Sequence, residues 1–138
     1  MKLTSLLLFL PIFTLGQMKF DNTITINEFI SYSTLKATLF DYGMIINGSD
    51  TSIFETNEIK QKKDEVYIKL RLKRTDSSLV IKGLMKINIP IVMLGVSSTP
   101  EFQPIEFWKD KKSRPRLAFD LVDEFAKHLS QKITYSKS

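Results

Sequence analysis

Phe107 and Trp108, the second being the only tryptophan of the chain, stand directly before Lys109, Lys111, Lys112, Arg114 and Arg116. Large aromatics beside a basic run suit stacking on sugars, contact with a membrane surface, or anchoring of a protein partner. The alternative is that Phe107 and Trp108 close one end of the core while the lysines and arginines form a solvated approach to a helix. Phe107, Trp108, Lys109, Lys111, Lys112 and Arg114 are the candidate binding residues.

Catalytic chemistry has little to draw on. The chain has no cysteine and one histidine, His128. Thiolate nucleophiles, thiolate metal sites and disulfides are therefore ruled out. One histidine falls short of the two or three imidazoles of the usual zinc site. A Ser-His-Asp arrangement would need His128, yet no Gly-x-Ser-x-Gly elbow is present. Asp120, Asp123 and Glu124 lie together near the C-terminus. Asp120 and Asp123 read as the solvated face of a helix. Five glycines are scattered singly, so no phosphate-cradling loop exists. The expectation is no catalytic residue, no cofactor and no metal.

These residues need elements to position them. Val66, Ile68, Leu70 and Leu72 alternate with Tyr67, Lys69, Arg71 and Lys73. Period two marks a strand with one face buried and one in water. After the turn composition Thr75-Asp76-Ser77-Ser78, the alternation resumes. Leu79, Ile81, Met85, Ile87 and Ile89 share a face with Gly83, while Lys82, Lys86 and Asn88 point the other way. The spacing predicts an antiparallel hairpin with a basic outer face, ended by Pro90, which cannot donate to a ladder.

Gly43–Ile46 and Ile53–Thr56 read as shorter strands around Asn47-Gly48-Ser49-Asp50. That stretch is a tight-turn signal and also a glycosylation sequon; the turn is favoured. Ile24 and Ile26 start a further short strand. Residues 27–42 fit helix or strand. The stripe Phe29, Tyr32, Leu35, Leu39 and Tyr42 favours helix, with Asn27 or Thr25 as cap and Gly43 at its end.

Ser113 and Pro115 open a clearer helix, with the apolar stripe Leu117, Ala118, Leu121, Val122, Phe125 and Leu129. Between Pro90 and Ser113 the pattern is irregular. Long irregular segments inside compact domains are often functional.

At the N-terminus, Met1-Lys2 precedes the apolar run Leu3–Phe13, then Thr14-Leu15-Gly16. This is the three-part layout of a secretory signal peptide cleaved near Gly16-Gln17. Its apolar run falls short of the roughly 20 residues that span a bilayer. Residues 1–16 are thus expected to be a signal peptide and 17–138 a single domain. Such a length supports a hydrophobic core without disulfides. The localisation expected is secreted, periplasmic or cell envelope. The formal net charge of +5 serves solubility first and anionic partners second.

The fold class expected is α+β: an antiparallel sheet of four to five strands, with one N-terminal helix and a long C-terminal helix packed on one face. The stretch Leu39–Ile46, with Asp50 and Ile53–Thr56, and the closing Ala118–Leu121 to Ile133–Tyr135 segment resemble a known layout. It is that of small secreted bacterial proteins with a TATA-binding-protein-like, or helix-grip, domain. The resemblance covers most of residues 17–138 and implies an envelope-associated, non-enzymatic module. It transfers no functional residue, and a fold does not fix a function.

The function expected is a secreted or periplasmic binding module acting through the basic sheet face or the surface around Trp108. The alternative is a structural or assembly component of the envelope, with a small hydrolase using His128 third. An envelope protein, a glycan or an anionic surface would be the partner, and nucleic acid is not expected.

Overall fold

The computed structural model describes residues 20–61, 65–88, 91–93, 95–98 and 100–138. The expected signal peptide, residues 1–16, lies outside them, as do Ile89 and Pro90. No helix among the described residues is long and apolar enough to cross a membrane.

The central hairpin forms as its alternation predicts. β5 (Val66–Arg74) pairs antiparallel with β6 (Leu79–Ile87) from Val66↔Ile87 to Arg74↔Leu79. Val66, Ile68, Leu70, Leu72, Leu79 and Ile81 are fully buried. The Thr75 Oγ1 accepts from the Ser78 amide at 3.0 Å and fixes the turn.

β1 (Thr23–Ile26) lies beside β6, and β10 (Ile133–Ser136) beside β1. On the other side, β3 (Ile53–Thr56) pairs with β5, and β2 (Ile46–Asn47) with β3. Two short strands extend these lanes: β4 (Ile59–Lys60) along β5 and β9 (Gln103–Pro104) along β6. The order is β10-β1-β6-β5-β3-β2, with β4 and β9 off that path. The sheet thus has eight strands among the described residues, not the four to five expected. β2, β4 and β9 have two residues each, too few to show any alternation in sequence.

The segment 90–113, expected to be irregular, also carries structure. β7 (Ile91–Met93) and β8 (Val96–Ser98) form a hairpin about Gly95, whose φ of 78° a side chain would resist. β9 then returns the chain to the sheet.

α1 (Tyr32–Asp41) is a helix, but it starts later than its sequence signals. Thr25 sits in β1, and the Asn27 amide donates to the Lys132 carbonyl at 2.7 Å, so neither caps it. Ser31 does, its hydroxyl accepting from the Thr34 amide at 3.2 Å. Phe29 lies before the helix and is 55% exposed. Leu35 and Leu39 are buried as the stripe requires. At the far end Gly43, at φ 76°, completes a Schellman cap: its amide reaches the Phe40 carbonyl and that of Met44 the Leu39 carbonyl, both at 2.9 Å.

α2 (Arg114–Leu129) is capped by Ser113, whose hydroxyl accepts from the Arg116 amide at 3.3 Å. Its buried face is Ala118, Phe119, Val122, Phe125 and Ala126. The expected stripe is therefore rotated: Leu117 is 45% exposed, and Phe119 takes its place in the core. The rotation has two causes. Phe119 packs edge-on against Phe107 at 5.3 Å. Asp123, expected in solvent, is only 7% exposed, because its carboxylate accepts from the Tyr135 hydroxyl at 2.6 Å and pairs with Lys127 at 2.8 Å.

Both helices share one face of the sheet, with Ile24, Ile26, Phe54, Ile68, Leu70 and Ile81 beneath them in one core. Each such side chain withdrawn from water contributes about 1.5–3 kcal/mol. The opposite face carries Lys69, Arg71, Lys73, Lys82 and Lys86.

Candidate functional site

The aromatic–basic surface is built on the chain leaving β9. Ile105 is buried, and its amide donates to the Gly83 carbonyl at 2.9 Å. Two residues on, Phe107 and the 20–21 segment exchange backbone bonds. Phe107 donates to the Asp21 carbonyl, and Phe20 donates to the Phe107 carbonyl, both at 2.8 Å. Alternation then sends Phe107 toward Phe119 and the core, while Trp108 faces outward at 39% exposure.

Trp108 is nonetheless held. Its ring meets Phe20 edge-on, with centroids 5.7 Å apart. Phe20 has φ 70°, a left-handed conformation uncommon for any residue with a side chain and costing about 1–3 kcal/mol. Arg116 ties the loop to α2. Its guanidinium lies 4.3 Å from the Phe107 ring centre, donates to the Trp108 carbonyl at 3.0 Å and pairs with Asp120 at 2.9 Å. Lys137 sits over Phe20 at 5.5 Å.

The loop beyond Trp108 is a turn held by Asp110. The Asp110 carboxylate accepts from the Lys112 amide at 3.0 Å, and its carbonyl accepts from the Ser113 hydroxyl at 2.8 Å. Asp110 thus serves backbone geometry rather than charge pairing. Lys109, Lys111 and Lys112 are exposed, and none has a carboxylate partner among the described residues. Arg114 is exposed in the first turn of α2, which carries no acidic residue.

Of the six residues singled out in the sequence, five therefore share this surface, and Phe107 supports it from beneath. Phe20 and Lys137 join them. No sequence signal could have found these two, because the opposite ends of the described chain meet here through tertiary contacts: the β1–β10 and 20–107 pairings and the Asn22–Ser138 hydrogen bonds.

The other chemistry-bearing cluster lies along the outward side of α2. An open cleft of about 390 Å³ is lined, among the described residues, by Asp120, Asp123, Glu124, Lys127 and His128. Two of its carboxylates are already engaged. Asp120 holds Arg116, and Asp123 holds Tyr135 and Lys127. Nδ1 of His128 lies 2.5 Å from the Tyr42 hydroxyl and 3.0 Å from the Glu124 carbonyl oxygen. Burial, then the Glu124 and Asp41 carboxylates, raise the Tyr42 hydroxyl above its ordinary value of 10.0. No serine is hydrogen-bonded to His128 among the described residues. No group of three or more His, Cys, Asp or Glu side chains there could hold a metal ion.

On the outer sheet face, Glu55 binds Arg71 at 2.7 Å and Lys69 at 3.3 Å, and Glu58 binds Lys86 at 3.2 Å. The Arg71 hydrogen bond, followed by that of Lys69, holds the Glu55 carboxyl below the usual 4.5 despite some burial. Phe102 lies between two ammonium groups, 4.5 Å from Lys69 and 4.8 Å from Lys86. The segment before β9 therefore covers one end of this face.

No protein-family model, curated protein or solved structure matches this chain.

Proposed function

We propose that this chain is a non-enzymatic binding module, exported to the cell envelope or beyond, which takes an anionic ligand on the surface around Trp108. One observation carries the reading. A tryptophan is held half-exposed by Phe20 and Arg116, and the turn that follows it presents three lysines without carboxylate partners. A rigid aromatic ringed by uncompensated cations loses little entropy on binding, and its charge attracts an anion. An acidic glycan fits this chemistry, with ring faces on Trp108 and carboxylates on Lys109, Lys111 and Lys112. A long helix gripping an antiparallel sheet supports the helix-grip reading. The Leu3–Phe13 run supports export, which the intact mass of protein from fractionated cells tests by a start near Gln17.

Trp108 is the only tryptophan, so its emission reports this surface directly. Titration with a polyuronate should shift that emission, and high salt should reverse the shift. Trp108→Ala should weaken polyuronate binding, measured by calorimetry, by about 2 kcal/mol or more, as for an interface anchor. It should cost less stability than the roughly 3–5 kcal/mol of a fully buried aromatic. Unfolding by this change, with no effect of polyuronate on wild-type emission, would make Trp108 a core residue and end the proposal.

A second reading, an assembly component of the envelope, is favoured by Phe40 and Ile45. They flank the end of α1 at 73% and 60% exposure. Exposed apolar groups of this size mark protein contacts when they adjoin. A clean monomer at every concentration, with no cross-linked partner in the envelope fraction, counts against it.

A further inference from the structure

We infer that the outer face of the sheet docks flat on an anionic lipid surface, through Arg71, Lys73 and Lys82 with Ile53 beside them. This is independent of the Trp108 reading, because Trp108 is tied to α2, which packs on the other face of the sheet.

The register carries the argument. Arg71 stands directly opposite Lys82, and Lys69 and Lys73 are the diagonal neighbours of Lys82. Like charges directly opposite on a sheet are destabilising. One carboxylate, Glu55, serves this end of the face, and it is already divided between Arg71 and Lys69. Lys73 and Lys82 have no acidic partner among the described residues. A face built for solubility alone would alternate its signs. This one concentrates cations at a cost to the fold, and an opposing plane of anions removes that cost.

The neighbouring row identifies the plane as lipid. Ile53, Lys73 and Val80 are in register across three strands, and Ile53 is 56% exposed. Cations level with an exposed aliphatic side chain match a headgroup layer, where lysines meet phosphates and the apolar group enters beneath. A single-stranded nucleic acid needs open aromatic faces for its bases. The aromatics here, Tyr67 and Phe102, already carry ammonium groups over their rings.

The test is co-sedimentation of the full chain with phosphatidylglycerol vesicles against phosphatidylcholine vesicles. Binding should favour the anionic vesicles and vanish near 1 M salt, where the Debye length is about 3 Å. Each cation near such a surface contributes roughly a fivefold change in partitioning, so Lys73→Gln should cost about that and the charge reversal Lys82→Glu on the order of 25-fold. Lys82→Glu also puts a carboxylate opposite Arg71, so its melting temperature should hold or rise while binding falls, which a damaged fold would not do. The apolar Leu3–Phe13 run is common to wild type and variants, so the differences between them read the sheet face. Equal partitioning of Lys82→Glu and wild type would overturn the inference. So would loss in Trp108→Ala alone, or preference for an oligonucleotide or acidic glycan that Lys82→Glu abolishes.

Discussion

Gly83→Ala examines the packing that sets the Trp108 surface in place. A Cβ on Gly83 would lie 2.8 Å from Ile105 Cδ1 and 2.9 Å from Val122 Cγ2, both closer than carbon atoms approach. Both neighbours are buried side chains, so any relief is a shift within the core. Ile105 is 2% exposed and Val122 3%, and the Ile105 amide is bonded to the Gly83 carbonyl itself. Overpacking of a core costs about 1–3 kcal/mol. Alanine recovers about 0.5–1 kcal/mol of the entropy that glycine loses in a strand. The net expectation is a destabilisation of up to about 2.5 kcal/mol from these two magnitudes. Denaturant unfolding measures it, as a lower midpoint at unchanged slope. Thermal unfolding should show a fall of up to about 10 °C for a domain of this size. Val122→Ala opens space at the same point, so the double variant should be less harmed than the sum, with a coupling of about 0.5–3 kcal/mol. Displacement of Ile105 should also reach Trp108 three residues on, and shift its emission to the red. A Gly83→Ala protein more stable than wild type, with Trp108 emission unshifted, would refute the close approach of α2 and Ile105 to β6, and with it the anchoring of the binding loop.

Two further outcomes follow from the α2 flank. Asp123→Ala removes the acceptor of the nearly buried Tyr135 hydrogen bond and should cost about 1–3 kcal/mol in denaturant unfolding, while Asp123→Asn, which keeps an acceptor oxygen, should cost much less. Equal losses would show that this bond does not hold α2 to β10. Tyr42 has a raised pKa in the folded state, first from burial and then from Glu124 and Asp41. Its contribution is therefore complete below its ordinary value of 10.0 and is lost as pH rises through the higher folded value. Tyr42→Phe should flatten the alkaline limb of the stability profile above pH 10, roughly the unperturbed tyrosine value. An unchanged limb would remove Tyr42 as its source.

The features legible in the chain alone are local. The β5–β6 hairpin was legible because alternation over nine residues on each strand states both the strand and its buried face. The Ser113 and Gly43 caps were legible because a cap satisfies backbone groups within three or four residues of itself. The run from Trp108 to Arg114 announced its chemistry in contiguous residues. Tertiary structure decided whatever depends on a distant neighbour. Thr25 looked like a helix cap, but the ladder to β6 and β10 took it into a strand. Asp123 looked solvated until Tyr135, twelve residues away, supplied a hydroxyl that makes its burial tolerable. Leu117 fitted the apolar stripe, yet Phe119 found Phe107 and turned the helix. Strands of two residues carry no period and exist only because β3, β5 and β6 offer them an edge. The binding surface follows the same division. Its charges and its tryptophan are written in one stretch of chain. Their placement depends on Phe20 and Lys137, which burial and sheet pairing bring in from opposite ends of the described residues.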